Sequence, residues 1–377
     1  MPLSAVRTLL HPPKRWALCL HPETLIVSNP SVKPIRDLSA NDKVLGHGGE
    51  FNRVITPTCR WYSGKLRVIK PHYFPPTKMT PEHRVYAIKV DRCPTRAGVA
   101  KGQVRFCGVE GCRYRDKPWC RRLYQRYAPE WVLARDLSEN DYVVYCFPNG
   151  AKDIEEIRVR ELLDTDVIEE DGKVFPAMKH WRSGKRFKNP MAKGVPAAIR
   201  VDERFMRLVG YYLAEGYASN DTVFLSFGPS EDELAEDAVE LFKSIFGLTP
   251  RIERRETAKV VYVCNSILAR VFAKLFGERA EDKRVPDWMI ELPVEKQKHL
   301  LEAYLKGDGC EDSQRIRAIT ASPSLAISIV HLFMRRGILP SMRVIEEGTY
   351  DILGRRGKAK RRFEITVHKG KGDTRGR

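Results

Sequence analysis

No apolar run in the 377 residues reaches the roughly 18–20 that a membrane-crossing helix needs. The N-terminus lacks a signal-peptide core, because Pro12, Pro13, Lys14 and Arg15 interrupt it. Both absences point to a soluble, cytoplasmic chain with no membrane partner. Acidic residues are in deficit: 48 Asp and Glu stand against 66 Lys and Arg, a formal charge of +18. Apolar residues are not scarce. A hydrophobic fraction of 42% with 30% charged is ordinary for folded protein and excludes global disorder. The length implies two or three domains. An excess of basic charge makes a polyanion the first partner to consider, without bearing on fold.

The charge is concentrated. Residues 93–126 carry nine basic and two acidic side chains, 179–200 seven basic and no acidic, and 354–377 ten basic and two acidic. The remainder is close to neutral. Three basic segments on a neutral body suit contact with a phosphate backbone, or, more plainly, solvated loops.

Residues 19–90 read as β-rich, with Leu25-Ile26-Val27, Lys43-Val44-Leu45 and Arg84-Val85-Tyr86-Ala87-Ile88 as strand-like runs between turns. The phrase Ile35-Arg36-Asp37-Leu38-Ser39-Ala40-Asn41-Asp42 is echoed by Ala134-Arg135-Asp136-Leu137-Ser138-Glu139-Asn140-Asp141, which suggests a duplicated β unit. Residues 151–200 have no sustained period and read as a basic connector. From residue 202 a helix–strand–helix–strand–strand order is expected over 205–214, 222–227, 232–246, 251–255 and 259–264, followed by a helix over 266–276. The order recurs over 298–305, 315–320, 324–336, 342–346 and 361–367. The helix that should then answer 266–276 is replaced by a Gly- and Lys-rich run.

The leading helix of each copy ends in the same way. Leu208-Val209-Gly210-Tyr211-Tyr212-Leu213-Ala214-Glu215-Gly216 matches Leu301-Glu302-Ala303-Tyr304-Leu305-Lys306-Gly307-Asp308-Gly309. Gly210 and Ala214, and Ala303 and Gly307, are four apart and share one helical face. Two such faces can approach backbone to backbone. Each helix closes on an acid followed by Gly, a favoured stop. Side-by-side packing brings Glu215 and Asp308 together, and a hard divalent cation such as Mg²⁺ would relieve their repulsion. Metal-bound carboxylates on a basic protein can hydrolyse phosphodiesters. The plainer alternative, two surface acids at helix C-termini, is disfavoured by the helix dipole at both places.

This duplicated motif resembles the LAGLIDADG, or dodecapeptide, homing endonucleases in their single-chain, pseudo-symmetric form, over about residues 202–367. The resemblance implies a monomeric, metal-dependent endonuclease cutting double-stranded DNA at a specific site. Glu215 and Asp308 would bind Mg²⁺, and two twisted sheets would read the DNA. It also implies a basic residue near the metals, and Asp282-Lys283-Arg284-Val285-Pro286 points to Lys283. Its counterpart in the second copy is missing, with Lys369 and Lys371 as the candidate substitutes.

Cys19 opens the first β unit, and Thr80-Pro81-Glu82-His83 follows downstream. A thiol beside a His and a hydroxyl can perform acyl transfer. With the repeated Asp-Leu-Ser-x-Asn-Asp phrase, these residues resemble the Hint module of inteins. The resemblance implies that Cys19 attacks the Leu18 carbonyl, aided by Thr80 and His83. The sequence has no His-Asn pair of the kind that ends an intein. A split or frameshifted intein, with a complementary C-terminal fragment as partner, an endonuclease with a decayed Hint domain and a truncated chain all stay open.

Cys93, Cys107, Cys112 and Cys120 form a cluster without the tight Cys-x2-Cys knuckle. A structural Zn²⁺ site, a disulfide-stabilised loop and free thiols are all compatible with it. Cys59, Cys146, Cys264 and Cys310 are expected as small core residues.

The expected fold is multi-domain: an all-β Hint-like N-terminal domain plus an α+β pseudo-symmetric LAGLIDADG endonuclease domain of two αββαββα-type subdomains, the second truncated. The boundaries are 1–18 for an extension in extein position, 19–150 for the Hint-like domain with the insert 93–126, 151–200 for the connector, and 201–297 and 298–377 for the two subdomains. The rivals to the nuclease are a protein-splicing element with an inactive endonuclease and a non-catalytic DNA-binding protein of the same fold.

Overall fold

The computed structural model describes residues 2–6, 18–29, 32–89, 128–139, 141–163, 167–352 and 355–369. The Cys93, Cys107, Cys112 and Cys120 cluster and the run from Gly370 onward lie outside them. No helix among the described residues is long and apolar enough to cross a membrane.

The N-terminal part is built of short antiparallel strands. Ser28–Asn29, Lys43–Leu45 and Phe51–Arg53 form one sheet, and Arg84–Ile88 lies between Glu130–Leu133 and Tyr142–Val143 in another. A small core of Ile35, Leu38, Val44 and Val54 supports the first. The echoed phrase has the same structure in both places. Ile35–Asp37 and Ala134–Asp136 are single 3₁₀ turns. Asp42 then accepts hydrogen bonds from the Ser39 backbone N–H (2.7 Å) and the Lys33 ammonium (2.9 Å). Asp141 accepts the same pair from Ser138 (2.8 Å) and Lys89 (2.7 Å). The repeated letters therefore encode a repeated turn, closed by an Asp accepting from the backbone three residues earlier.

Residues 151–200 differ from the expected bare connector. Glu156–Arg158 pairs with Ala198–Arg200, and Val167–Glu170, Lys173–Lys179 and Arg186–Lys188 form successive antiparallel strands. Val159, Val174, Val195 and Ile199 are buried in the main core. The Asp171-Gly172 turn, with both φ positive at 50° and 69°, joins the first two of these three strands. An Asp-Gly pair between strand-like runs is a hairpin signal; the charged residues around it, most of them acidic, interrupt the period.

The remainder holds two copies of one α+β unit. The first comprises α1 (Glu203–Glu215), β1 (Gly216–Ser219), β2 (Thr222–Phe227), α2 (Asp232–Phe246), β3 (Arg251–Arg254), β4 (Lys259–Cys264) and α3 (Ser266–Phe276). The second comprises α4 (Val294–Asp308), β5 (Gly309–Glu311), β6 (Arg315–Thr320), α5 (Pro323–Arg335), β7 (Ser341–Ile345) and β8 (Arg362–His368). The sheets run β1-β2-β4-β3 and β5-β6-β8-β7, so their topologies match strand for strand. Between β7 and β8, Gly348–Ile352 pairs with Arg355–Ala359, a hairpin the sequence pattern did not mark.

Local chemistry starts and stops these helices. Asp202, Asn265 and Ser322 side chains accept the N–H groups of Phe205, Leu268 and Leu325 at 3.0–3.1 Å, satisfying donors that a helix start leaves orphaned. Gly247 (φ +65°) and Gly337 (φ +74°) take left-handed conformations after α2 and α5. Gly216 and Gly309 do not. They are extended (φ −93° and −84°) and open β1 and β5. Glycine is needed there because a Cβ on Gly309 would lie 2.1 Å from the Leu305 carbonyl oxygen and one on Gly216 2.7 Å from that of Tyr212.

Candidate active site at the paired helix ends

The two leading helices pack against each other along their small faces. A Cβ on Gly210 would stand 2.4 Å from the Leu300 carbonyl oxygen and 2.6 Å from the Ala303 Cβ. One on Gly307 would stand 2.6 Å from the Ala214 Cβ. The seam thus uses the four residues that the spacing predicts. It ends where α1 and α4 end, on Glu215 and Asp308. The Glu215 Oε1 would be 3.4 Å from a Cβ on Gly307, the neighbour of Asp308.

This place concentrates negative charge. Two carboxylates sit where two helix C-termini also present the negative ends of their dipoles. Burial, and then Glu215, push the Asp308 carboxyl up to about 7, against the opposing pull of Lys283. Burial, and then Glu231, raise Glu215, again opposed by Lys283. The fully buried Tyr304 hydroxyl lies beside Asp308, favouring its charged form without reaching full hydrogen-bond geometry.

Lys283 is the built-in cation. It is 4% exposed. Its Nζ donates to the carbonyls of Tyr212 (2.7 Å), Leu213 (2.9 Å) and Ala214 (3.3 Å), acceptors in the last turn of the helix, of which that of Tyr212 also receives the Gly216 N–H. Burial pulls the ammonium down to about 8, against the opposing pull of Asp308 and Glu215. Its backbone is anchored from the other half of the molecule, where Ser322 Oγ donates to the Lys283 carbonyl at 2.5 Å. Ser322 also caps α5, so one hydroxyl ties the first subdomain's lysine to the second subdomain's helix.

The donor set suits a hard divalent ion. Among the described residues no three His, Cys, Asp or Glu side chains gather as a metal cluster. Mg²⁺ is commonly held by one or two carboxylates and completes its shell with water and phosphate oxygens, so two acids suffice. A four-ligand zinc centre would not fit here.

A second constellation lies in the N-terminal part. Thr80 Oγ1 accepts from the Cys19 backbone N–H at 3.2 Å, and the Thr80 N–H donates to the Cys19 carbonyl at 3.0 Å. The His83 N–H donates to the Thr80 carbonyl at 3.0 Å. Cys19 and Thr80 are buried. Burial pushes His83 down to about 4, so its imidazole is neutral at pH 7, and its Nδ1 is buried without a hydrogen-bond partner. The three residues are therefore gathered by the pairing of two chain segments far apart in sequence.

The remaining cysteines are not core residues. Cys59, Cys264 and Cys310 are exposed and Cys146 is half-buried. Cys264 and Cys310 lie on the outward parity of their strands, whose inward positions face the helices. Residues missed in the sequence include Glu231, Tyr304 and Ser322. Only Tyr304 carried a signal, since it stands one helical turn before Asp308.

Residues 202–277 match the LAGLIDADG-like domain family. An uncharacterized protein of Methanocaldococcus jannaschii is 30% identical over 333 residues, covering 86% of this chain and 38% of that protein. The ATP-dependent DNA helicase Hel308 of Thermococcus kodakarensis is 27% identical over 345 residues, covering 86% of this chain and 28% of the helicase. Partial matches also reach an iron–sulfur cluster assembly SufBD family protein of Mycobacterium tuberculosis and a DNA polymerase II large subunit of Thermococcus kodakarensis. The chain thus spans about a third of the length of these first two relatives. Among solved structures, the homing endonuclease I-DmoI in complex with DNA and Ca aligns with 12% identity and a TM-score of 0.34, covering 44% of this chain and 83% of that one.

Proposed function

We propose that the chain is a site-specific, metal-dependent double-strand DNA endonuclease carried on an intein-type splicing element. The observation that carries the nuclease is the meeting of Glu215 and Asp308 at the end of a glycine-dependent seam, over the buried ammonium of Lys283. Glu215 and Asp308 would hold Mg²⁺, which when bound supplies water activation and charge neutralisation at a phosphate. Asp308, pushed up to about 7 by burial and Glu215, would serve that cation as a carboxylate ligand. Lys283 holds the end of α1 in place and offsets the charge of both carboxylates. One chain provides both halves of the site, so a monomer suffices.

Two open sheet faces and a basic hairpin offer surface to a duplex. Lys179, Arg182, Lys185 and Arg186 are exposed around the hairpin tip, where the Arg182 guanidinium lies 4.5 Å from the ring centre of the exposed Trp181. The test is cutting of a duplex selected by binding from a randomised library. Glu215→Gln with Asp308→Asn should abolish Mg²⁺-dependent cutting while binding persists. Intact cutting by that double variant would end the proposal.

The splicing element rests on two further observations. A segment shared with proteins whose names describe a helicase, an iron–sulfur assembly protein and a polymerase, and covering a minor part of the first two, has the distribution of an insert. Thr80 Oγ1 also touches the nitrogen of the Leu18–Cys19 peptide bond. In the corresponding step the Cys19 sulfur bonds to the Leu18 carbonyl carbon, the C–N bond breaks, and the thiol proton ends on the freed amine. A splicing element with an inactive endonuclease is the second reading, supported by the same contact. Thiol-induced cleavage at Leu18–Cys19 that Cys19→Ala abolishes, in a protein that cuts no DNA, would favour it.

A further inference from the structure

The two sheets share one topology and carry different side chains on the faces turned away from their helices. In the first, Tyr217 on β1 pairs with Phe224 on β2, Phe224 with Tyr262 on β4, and Tyr262 with Arg251 on β3. The neighbours Ala218, Val223, Leu225, Val261 and Val263 are buried toward the helices, so this row faces outward. In the second sheet the register-equivalent row is Cys310, Arg317, Thr366 and Ser341. The correspondence is anchored by Gly216 and Gly309, which follow the two acids directly.

The geometry of the aromatic row limits what it can hold. The Tyr217 and Phe224 rings are stacked with centroids 4.5 Å apart at 7°, and Phe224 and Tyr262 at 5.9 Å and 27°. Ring faces are turned to one another, so the row presents ring edges outward and offers no platform between its members for an unpaired base. Such an edge is an apolar rim suited to the 5-methyl group of thymine, which projects into the major groove. Arg317, at the place of Phe224, makes no ion pair with a carboxylate among the described residues. Its terminal nitrogen reaches only Cys310 Sγ, at 3.9 Å, and its Nε has no partner. The fork of a guanidinium matches O6 and N7 of guanine.

We propose that the half-site under the first sheet is recognised through thymine methyl groups, by Tyr217, Phe224 and Tyr262, and that the opposite half-site is recognised through a guanine held by Arg317. The proposal rests on the DNA-binding function above and assigns its base preference. Because Tyr217 and Cys310 each stand two residues beyond a catalytic acid, the base pairs concerned flank the scissile positions.

The experiment is selection of duplexes bound by the full chain from a randomised library in Ca²⁺, followed by replacement of individual thymines with deoxyuridine. One half-site should be enriched in thymine and the other in guanine at mirrored positions. Each methyl removed from the first half-site should weaken binding about fourfold, the value of one buried CH₂. The unmodified protein provides this measurement, so no variant need fold. Phe224→Ala should erase the thymine–uridine difference and leave the guanine preference, whereas Arg317→Ala should do the reverse. Equal binding of thymine and deoxyuridine duplexes would overturn the assignment while leaving DNA binding intact. Failure to enrich any duplex would overturn the DNA-binding function and this assignment with it.

Discussion

Gly210 faces Ala303 across the helix seam so closely that a methyl group on Gly210 would stand 2.6 Å from the Ala303 Cβ and 2.4 Å from the Leu300 carbonyl oxygen. Neither neighbour is the free end of a flexible chain, so the helices must separate to admit it. Gly210→Ala should therefore destabilise the protein by about 1–3 kcal/mol, the usual cost of overpacking. It should also lower DNA cutting by more than it lowers DNA binding, because it spreads Glu215 from Asp308. Urea denaturation and single-turnover cleavage check the two effects separately.

Lys283 closes three carbonyls and offsets two carboxylates. Lys283→Met keeps most of the stem and removes the ammonium. The metal-free protein should lose about 2 kcal/mol at pH 8, the order of an unsatisfied buried hydrogen-bonding group. Mg²⁺ should restore part of that loss, since a bound cation replaces the missing charge. Thermal melts with and without Mg²⁺ provide the measurement, and equal loss in both would show that the lysine acts on the helix end alone.

Asp287 is 7% exposed, and its Oδ2 has no partner. Burial, and then Glu291, push it up to about 7, with Lys43 opposing. Its folded pKa lies above the unfolded value, so its stabilising contribution is complete below about pH 4 and is lost as pH rises through 7. Asp287→Asn should stabilise the protein at pH 8, by about 2 kcal/mol, and change little at pH 4. The buried His331, pulled down to about 4 by burial, works in the other direction. Its stabilising contribution is complete above about pH 6.5 and is lost as pH falls toward 4. Melting temperatures of His331→Leu and Asp287→Asn across pH 4–9 would resolve the two slopes.

The exposed hairpin tip supplies the salt test. Replacing Lys179, Arg182, Lys185 and Arg186 by Gln should leave thermal stability nearly unchanged, since all four side chains are exposed. It should lower the slope of log affinity against log salt by up to about 3.5, roughly 0.9 for each phosphate no longer neutralised. An unchanged slope would remove the hairpin from the DNA surface.

Glu215 and Asp308 were legible because one helix pattern occurs twice and ends each time on an acid that the helix dipole disfavours. Most of the strands and helices from 202 onward were legible from hydrophobic period and Gly stops. The short strands β1 and β5 were not, because Gly216 and Gly309 look like helix stops and serve as strand starts, a choice made by carbonyls lying above them. The folded character of 151–200 was hidden because its apolar residues are spread thinly among charged ones, and its burial depends on a core supplied by the helices from residue 203 onward. Cys264 and Cys310 looked like core residues by type, whereas strand parity turned them outward.

The amino-acid sequence by itself determined the doubled αββαββ order, the small-residue faces of Gly210, Ala214, Ala303 and Gly307, and the two acids, because each follows from short-range period and helix termination. Tertiary structure alone decided that Lys283 caps the helix ending in Glu215, that Ser322 holds that lysine from the opposite half, and that Tyr217, Phe224 and Tyr262 form one row. Apart from Tyr217 and Phe224, which share a hairpin, those pairings join residues tens of positions apart, and no local pattern encodes a contact whose geometry exists only once two helices and two sheets have packed.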